Sequence, residues 1–357
     1  MLTFNSSPEH FTVEEIAAYP PSGEGAHTFL WIEKRGLTTF DAIARIAAAL
    51  EIAPRDMGYA GLKDRHALTR QWLSIPGKFE VGTEVGTAGT VDATIPYAFG
   101  DDLIVLAATP HPHKLRLGHL RGNRFEVVLT GSATLGEVDA LATRFAALVA
   151  TGVPNRFGAQ RFGASGDNAA AGLALLRGER RERDRRRRRL LLSALQSAVF
   201  NRALELRAAT GDLAEVRPGD VLQKTASGGL FVSTDPAIDQ GRVASGEVVP
   251  TGPLPGGREI EPPPDTPARA LEDQAIAAVG ATREDFARAG RELPGARRPV
   301  LLKVTVEGEG FVREPAGATP DEAGDSDAPA RAVRLRFALP AGGYATVLIE
   351  ALLRSPT

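Results

Sequence analysis

The sequence predicts an α+β fold that is interrupted by an inserted domain, and three observations carry this prediction. The chain has 357 residues, which suffices for one large domain or two smaller ones. Its first ~150 residues alternate between strand-like and helix-like patterns. A proline-rich segment with patterns of its own then precedes a return of strand-like stretches near the C-terminus. A segment of distinct character between two α+β halves is typical of an inserted domain.

The early elements follow from hydrophobic periodicity. The stretches FTVEEI (11–16) and HTFLWIEKRG (27–36) are strand-like, and DAIARIAAAL is helical, with Asp41 as its expected N-cap. RFEVVLTG (124–131) is an apolar, β-branched run that ends in glycine, so it is predicted to be a strand.

Two longer helices follow. In TLGEVDALATRFAALVATG, Thr134 and Glu137 fit a capping box, and Gly152 ends the helix. The segment 190–209 is predicted to be a second helix. Between them, PNRFGAQRFGASGDN breaks the periodicity as a linker or a binding loop would. Short strands, another helix near TREDFARAG, two late strands and a C-terminal helix entered through GGYAT complete the chain.

The composition excludes several kinds of chemistry. There are no cysteines, so disulfides, thiolate catalysis, zinc ribbons and cysteine-ligated iron–sulfur clusters are ruled out. The first residues lack the pattern of a secretory signal, and no apolar run approaches the roughly 20 residues that a membrane span needs. We therefore expect a cytoplasmic protein without a membrane partner. No P-loop and no strand-linked GxGxxG is present, which disfavours nucleotide triphosphates and dinucleotides as ligands.

Charge is distributed unevenly along a chain whose net charge is only −2. The run RGERRERDRRRRR (177–189) suits either phosphate binding or a solvated helix face with internal Glu–Arg pairs. The segment 314–330 is acidic, rich in Pro, Gly and Ala, and free of periodic apolar residues. It is therefore predicted to be a flexible loop.

The stretch GYAGLKDRHALTRQW (58–72) places a carboxylate among cations. Asp64 lies between Lys63 and Arg65, and a histidine and a further arginine follow. Cations within about 4–6 Å favour the ionised form of a carboxyl group, which would keep Asp64 available as a nucleophile or a base. A hydrated surface turn explains the same cluster, because charges are common in glycine-flanked turns. On this stretch alone both interpretations stay open.

Two further clusters carry weaker signals. His111 and His113 in HPHK suit strand-borne metal ligands, but no third ligand stands at a recognised spacing, so no metal site is predicted. In RLGHLRGNRF, arginines surround Asn123 and Phe125. Cations, an amide and an aromatic ring are the groups that hold a phosphate and bind an unstacked base. An ordinary β-turn beside a core phenylalanine has the same composition.

Six stretches together resemble the TruD family of tRNA pseudouridine synthases. They are SGEGAHTFLWIEKRGLTT, AGLKDRHALTRQW, HKLRLGHLRGNRF, VPNRFGAQRFG, LLSALQSAVFN and LPAGGYATVLIEALL, in the family's order and approximate spacing. The similarity is weakest at 205–295 and in the acidic segment. The combination of GxKDxxAxTxQ with NRFGxQRFG is much more specific than either stretch alone.

The resemblance implies both a fold and an activity. The fold is a pseudouridine synthase catalytic core, with a mixed or antiparallel sheet and flanking helices, interrupted by an inserted α/β TRUD domain. We expect the core at 1–153 and 301–357 and the insertion at 154–300. The activity is that of an isomerase that converts a uridine of tRNA, in the bacterial branch uridine 13 of the D arm, to pseudouridine. No cofactor is expected, since nothing is oxidised and no group is added, and we expect a monomer with tRNA as its partner.

The same resemblance implies roles for individual residues. The family's nucleophilic aspartate falls on Asp64, and Lys63 beside it matches a polar family position near the substrate. Asn123 and Phe125 of GNRF match family residues beside the target base, with Asn123 expected to read the edge of the base and Phe125 expected to stack on it. Whether the aspartate attacks the uracil ring or ribose C1′ is not decided by the sequence.

Two tyrosines complete the predicted site. Tyr344 of GGYAT and Tyr19 stand where the family has aromatic residues near the substrate, so both are expected to stack on the base. Phenylalanine is the usual residue there. The added hydroxyl group needs a hydrogen-bond partner wherever it is buried.

Two other functions fit parts of the sequence. A non-catalytic RNA-binding protein on the same scaffold would keep the basic surface, but the intact Lys63–Asp64 pair argues against it. A glycosidase would need two carboxyl groups that flank a sugar. The adjacent Glu14 and Glu15 cannot converge in this way, because neighbouring side chains of a strand point to opposite faces.

Overall fold

The computed structural model describes residues 2–82, 90–92, 95–314 and 330–354. The chain divides into two compact units. The first comprises Met1–Ala150, Val304–Ala345 and Ile349–Thr357, and the second comprises Thr151–Lys303 and Thr346–Leu348. Most of the acidic segment predicted to be flexible, residues 315–329, lies outside the described residues.

In the described N-terminal part the α-helices and strands follow in this order: β1 (Leu2–Phe4), β2 (Phe11–Ala17), β3 (His27–Lys34), α1 (Thr39–Ala49), β4 (Gly58–Tyr59), β5 (Leu68–Pro76), β6 (Glu80–Gly82), β7 (Thr90–Asp92), β8 (Tyr97–Ala98), β9 (Leu103–His111), β10 (Leu120–Ala133) and α2 (Leu135–Thr151).

The middle elements are β11 (Val153–Pro154), α3 (Asn168–Leu176), α4 (Arg185–Ala209), β12 (Val221–Lys224), β13 (Leu230–Val232), α5 (Pro236–Ala244), β14 (Val248–Leu254), α6 (Pro267–Ala278), α7 (Arg283–Ala289), β15 (Ala296–Pro299) and β16 (Leu301–Leu302). The C-terminal elements are β17 (Thr305–Glu314), β18 (Ala330–Pro340) and α8 (Ala345–Leu353). Within the described ranges, no helix is long and apolar enough to cross a membrane.

One mixed sheet organises the first unit. Among the described residues its strand order is β17-β18-β10-β2-β5-β3-β9-β8, and β1 and β4 pair with β10 and β5. The pair β2–β5 is parallel, whereas the neighbouring pairs β2–β10 and β3–β5 are antiparallel. The predicted α+β class, with a mixed sheet and flanking helices, is confirmed.

One hydrophobic core of the first unit lies between α1 and the sheet. Leu30 and Ile32 alternate with outward-facing residues along β3, as do Leu73 and Ile75 along β5, so each pair lies on one face. From α1 the residues at helical spacing are buried against them: Ala42, Ile43, Ile46 and Ala47. The apolar residues that alternate along the strands and those at helical spacing in α1 therefore pack together in one apolar layer.

The start of α1 differs from the prediction. Thr38, not Asp41, is the N-cap: its hydroxyl accepts a hydrogen bond from the Asp41 amide at 3.1 Å. The Asp41 carboxylate accepts one from the Thr38 amide at 2.9 Å, which completes a capping box. The helix begins earlier because Thr38 is as good a cap as aspartate and an acidic group three residues later stabilises it. The capping box predicted for Thr134 and Glu137 at the start of α2 is confirmed.

The second unit is built on the long helix α4 and an antiparallel sheet of order β13-β12-β14-β15. The helix begins at Arg185 rather than at residue 190, because the carboxylate of Asp184 caps the amides of Arg186 and Arg187. Part of the basic run therefore lies in its first turns. Arg188 is paired there with Glu292, with Nη2 and Oε2 2.9 Å apart.

A buried ion pair lies at the other end of α4. The guanidinium of Arg207 binds both carboxylate oxygens of Asp220, at 2.9 and 2.7 Å, and donates to the carbonyl oxygen of Leu213 at 3.1 Å. Arg207 and Asp220 are 4 and 3% exposed. A buried pair of this kind has little net worth, but removing one partner leaves the other charge uncompensated.

We predict that Asp220→Ala lowers the free energy of unfolding by about 3–5 kcal/mol, measured by urea denaturation followed by circular dichroism. The Arg207→Met/Asp220→Leu double variant should recover most of this loss, because no charge is then buried alone. The matched control is Glu292→Ala, which breaks the more exposed pair with Arg188 and should cost less than about 1 kcal/mol. Equal losses in Asp220→Ala and Glu292→Ala would contradict the prediction.

Candidate active site

The predicted nucleophile is exposed on a short loop between β4 and β5, residues 60–67, called the Asp64 loop below. The carboxylate of Asp64 accepts a hydrogen bond from the backbone amide of His66 at 2.9 Å, so it closes its own turn. The cations beside it in sequence are engaged elsewhere. Arg65 donates to the carbonyl oxygen of Gly36 at 3.0 Å, and Arg70 binds Glu33 at 2.9 Å. Asp64 therefore presents an accessible carboxylate that none of these side chains covers.

Lys63 lies beneath the Asp64 loop and not beside the carboxylate of Asp64. Its Nζ is 2.5 Å from the Glu15 carboxylate, and the two side chains are 3 and 1% exposed. Burial raises the pKa of Glu15, while the charge of Lys63 and its hydrogen bond to Glu15 act in the opposite direction. The pair anchors the loop to β2.

A second buried lysine holds the loop from the other side. Lys34, at the end of β3, is fully buried, and its Nζ donates to the carbonyl oxygens of Leu37 at 2.6 Å and Asp64 at 2.9 Å. Among the described residues no carboxylate lies within ion-pair distance of this ammonium group. Burial lowers the pKa of Lys34 to about 8, and the Asp64 carboxylate partly opposes that shift. Lys34 is thus an electrostatic partner of Asp64 that the sequence did not single out.

Uncharged side chains complete the support of the Asp64 loop. The amide of Lys63 donates to the hydroxyl of Thr39 at 3.0 Å, and that hydroxyl donates to Gln71 Oε1 at 2.9 Å. Gln71 Nε2 in turn donates to the carbonyl oxygen of Gly61 at 3.3 Å. The loop is therefore tied through its backbone to the start of α1 and to β5, which fixes the position of Asp64.

Asn123 and Phe125 lie on one face of β10, two residues apart. In the sheet register Asn123 stands opposite Glu15, the partner of Lys63. The Oδ1 atom of Asn123 is buried and has no hydrogen-bond partner among the described residues. Phe125 is 6% exposed and stacks between Phe11 and Phe337, at centroid distances of 6.2 and 5.4 Å. Asn123 therefore offers an unused acceptor, and Phe125 is part of the core beneath it.

The close approach of β10 and β18 explains the glycine of the GNRF stretch. A Cβ atom on Gly122 would collide with the carbonyl oxygen of Leu339. Without a side chain at this position, the strand that carries Asn123 can pair with β18 along its length.

The two tyrosines differ in environment. Tyr19, two residues beyond β2, is partly buried: its hydroxyl is 2.6 Å from His119 Nδ1, and its ring stacks on His111 at 5.3 Å. The hydroxyl that distinguishes it from phenylalanine thus has a partner. Tyr344 precedes α8 and is 46% exposed. Three residues before Tyr344, the amide of Ala341 donates a hydrogen bond to the carbonyl oxygen of Arg121 in β10. Tyr344 therefore follows a turn that is attached to the start of the strand that carries Asn123.

Comparison with known proteins decides the family. The family model described as tRNA pseudouridine synthase D (TruD) matches residues 2–184 and 182–352. A tRNA pseudouridine synthase D of Anaeromyxobacter sp. (strain Fw109-5) is 41% identical over 98% of this chain and 91% of its own length. The chain belongs to the TruD family. A tRNA pseudouridine synthase D of Thermus thermophilus is 37% identical over 97% of this chain and 87% of its own length.

The fold of the chain is also found in a solved structure. A Methanosarcina mazei protein that bears the same TruD designation matches with a TM-score of 0.73 at 21% identity, over 99% of this chain and 94% of its own. The resemblance on which the sequence prediction depended is therefore confirmed for the family and for the fold.

The histidine-rich part of this TruD-family chain is an aromatic cluster. The ring of His111 is 4.4 Å from that of Phe29 and 6.4 Å from that of His113. Burial lowers the pKa of His111, and the neighbouring His113 and His27 add to the effect. In the part of the chain that the structure describes, no group of three His, Asp or Glu side chains could hold a metal ion.

We predict that Lys63→Met destabilises the protein in a pH-dependent way. Without the ammonium group the pKa of Glu15, already raised by burial, rises further. A folded-state pKa above the unfolded value means that stability is lost as the pH rises through that range. Urea denaturation should therefore show a deficit relative to the parent that grows from pH 5 to pH 8, where it reaches about 3–5 kcal/mol.

The control for this prediction is the Glu15→Gln/Lys63→Met double variant. It has no ionisable group at this site, so its difference from the parent should change much less between pH 5 and pH 8. A deficit in Lys63→Met that is the same at both pH values would show that Glu15 is not charged beside Lys63.

Proposed function

We propose that this TruD-family chain isomerises a uridine of tRNA to pseudouridine, with Asp64 as the nucleophile and uridine 13 of the D arm as the target. The observation that carries the proposal is an exposed carboxylate on a loop whose backbone is fixed by buried side chains. An accessible nucleophile held in one position is what covalent catalysis requires. The target position is taken from the resemblance to the bacterial branch of the family.

The reaction needs no group beyond the substrate and the protein. The C1′–N1 bond of uridine breaks, a C1′–C5 bond forms, and the proton on C5 leaves as N1 gains one, so atoms and charge balance. Asp64 assists either by adding to C6 of the ring or by attacking ribose C1′. Both attacks start from an ionised carboxylate.

The target base must leave its stack before Asp64 can reach it. We propose that Asn123 reads the displaced uracil. Its buried, unused Oδ1 would accept a hydrogen bond from uracil N3–H, and its Nδ2 would donate to a ring carbonyl oxygen. Cytosine has no hydrogen on N3, so this pair of contacts favours uracil.

The aromatic residues have separate roles in the proposal. Tyr344 is exposed and stacks on the displaced base, a contact worth about 1–3 kcal/mol for a single-stranded nucleotide. Tyr19 is held by His119 and forms a fixed wall of the site. Phe125 supports Asn123 from the core, and Lys63 supports Asp64 through Glu15. The protein acts as a cytoplasmic monomer with tRNA as its partner, without a cofactor or a metal ion.

We predict that Asp64→Asn abolishes pseudouridine formation in an unmodified tRNA transcript, with a loss of at least about a thousandfold in single-turnover rate. The amide keeps the shape of the side chain but is not a nucleophile. Affinity for tRNA should change by less than about threefold, because the loop is held by its backbone and not by this carboxylate. Asp101→Asn, at another exposed aspartate of the same unit, should react like the parent.

Products are mapped by carbodiimide-dependent stops of reverse transcription, with an active enzyme of known specificity in parallel. A parent protein that binds tRNA but gives no stop at any uridine would support the alternative of a non-catalytic RNA-binding protein. A stop outside the D arm would keep the chemistry and reject the proposed target. An Asp64→Asn variant that still modifies tRNA would reject the nucleophile.

We predict that the reaction slows as the pH rises through about 8, because Lys34 then loses the charge with which it binds the carbonyl oxygens of Leu37 and Asp64 and so fixes the loop. Lys34 has a lowered pKa, so its charge is present below about pH 8 and is lost above it. Lys34→Met should react more slowly than the parent at pH 7 and lack this alkaline decline. The measurement is the single-turnover rate between pH 6.5 and 9.5, with Asp101→Asn as control. An identical alkaline decline in Lys34→Met would assign it to another group.

A further inference from the structure

An open groove of about 590 Å³ lies on the first unit, outside the predicted site. Its walls come from the start of α1, from the segment before β4, and from residues 114–117, and we call it the Phe40 groove. Ile43, Met57 and Leu115 form an apolar floor. Gly58 lets the two loop segments touch, since a Cβ atom there would collide with the carbonyl oxygen of Leu115. The volume lies in the ~300–1,000 Å³ range of small-ligand sites.

An aromatic ring stands unprotected at the wall of this groove. Phe40 is 55% exposed, whereas Ala42 and Ile43 of the same helix are buried in the core. Its ring packs edge to face with that of Tyr59, at a centroid distance of 5.7 Å and an interplanar angle of 82°. Phe40 is therefore held in place by one neighbour while most of its surface remains available to a planar ligand.

The charged residues of the groove are all cations. Arg55, Lys114 and Arg116 line it, and none of its lining residues is acidic. Within the described ranges the guanidinium groups of Arg55 and Arg116 have no carboxylate partner, and Lys114 Nζ donates to the carbonyl oxygen of Arg55 at 2.6 Å. Several other arginines of the same unit are paired with carboxylates, as Arg70 is with Glu33 and Arg124 with Glu14. Unpaired cations around an apolar floor indicate a ligand that is anionic at one end and flat and apolar at the other.

We propose that the Phe40 groove binds an unpaired nucleotide of the tRNA substrate, with its base stacked on Phe40 and its phosphate against Arg116 and Lys114. The inference rests on the proposed function for the choice of tRNA. A nucleotide is the ligand class that carries a stacking face and a negative charge together, and proteins hold single-stranded RNA with this combination. A paired nucleotide is not a candidate, because both faces of its base are covered in the duplex.

The groove is structurally connected to the Asp64 loop. Phe40 directly follows Thr39, whose hydroxyl accepts the hydrogen bond from the amide of Lys63. A nucleotide on Phe40 is therefore bound to the same rigid support that fixes Asp64. It would contribute to the affinity for the RNA without touching the reacting base.

The test measures binding of an unmodified tRNA transcript at a series of KCl concentrations, together with single-turnover rates. Phe40→Ala should weaken binding about ten- to a hundredfold with an unchanged salt slope, because stacking involves no counterion. Arg116→Gln should weaken binding and reduce the salt slope by about one, because it removes one phosphate contact. The rate at saturating tRNA should stay within about threefold of the parent in both variants.

Matched controls distinguish the loss of groove contacts from a general loss of positive charge and from a loss of stability. Arg313→Gln removes one positive charge at the β17 edge of the sheet, where Arg313 is paired with Asp139, and should leave the salt slope unchanged. Phe40→Leu keeps the apolar bulk but not the aromatic ring, so it should bind nearly as weakly as Phe40→Ala. Thermal unfolding of each variant shows whether the fold is retained.

The outcomes distinguish a failure of the nucleotide-binding proposal from a failure of the proposed isomerase function. Parent-like tRNA binding by folded Phe40→Ala and Arg116→Gln would overturn the proposal while leaving the isomerase intact, and the groove would then suit an apolar segment of a protein partner. Weakened binding by both variants, in a parent that makes no pseudouridine, would keep the groove and reject the isomerase. Phe40→Leu that binds like the parent would reject stacking as the basis of recognition.

Discussion

The position of Asp64 depends on two ammonium groups buried beneath its loop. Lys63 reaches the Glu15 carboxylate on β2, and Lys34 reaches two carbonyl oxygens, one of them that of Asp64 itself. Neither arrangement is an efficient source of stability, because taking a charge out of water costs several kcal/mol and the contacts regained only offset it. Both arrangements fix the position of the Asp64 loop, because an ammonium group bound to fixed acceptors tolerates little displacement of the loop. Burial of the two ammonium groups thus lowers the stability that the fold could otherwise have, and it fixes the position of one carboxylate.

This placement resolves an ambiguity of the Lys-Asp-Arg cluster. Read along the chain, the flanking cations surround Asp64; in the structure Lys63 and Arg65 turn away from it, and the backbone of His66 binds it instead. The same geometry therefore satisfies both interpretations, the surface turn and the reactive carboxylate. Asp64 is in an exposed turn, and the turn is rigid. A nucleophile needs this combination, because an ion-paired carboxylate would have to break its contacts before it attacked.

The sequence predicted what depends on neighbours along the chain. The mixed α+β pattern, the α2 capping box and the α4 helix come from periodicity and capping groups within a few residues. The start of α1 was misplaced because Thr38 and Asp41 are both competent caps, and only the backbone decides between them. The contacts of Lys63 with Glu15 and of Lys34 with Asp64 could not be predicted from the sequence, since these partners lie 48 and 30 residues away along the chain. The residues next to a lysine in sequence do not show whether it is buried, because the strands that surround it come from distant parts of the chain. Local patterns made Asp64 and Asn123 candidates beside ordinary structural explanations, and the resemblance to the family decided between the two; Tyr344 was identified through the resemblance alone.

The same limit applies to the arginines, which are the commonest basic residues of this chain. Composition gives their number, but the fold decides which of them keep a free charge. In the conspicuous run at the start of α4, Arg187 and Arg188 are paired with Glu182 and Glu292. Arg55 stands in an ordinary stretch of sequence and Arg116 in RLGHLRGNRF, and none of the residues that line their groove is acidic. A phosphate gains most from a cation that it does not have to share with a carboxylate. The proposal for the Phe40 groove therefore rests on cations without carboxylate partners beside an exposed aromatic ring, and not on the local density of basic residues.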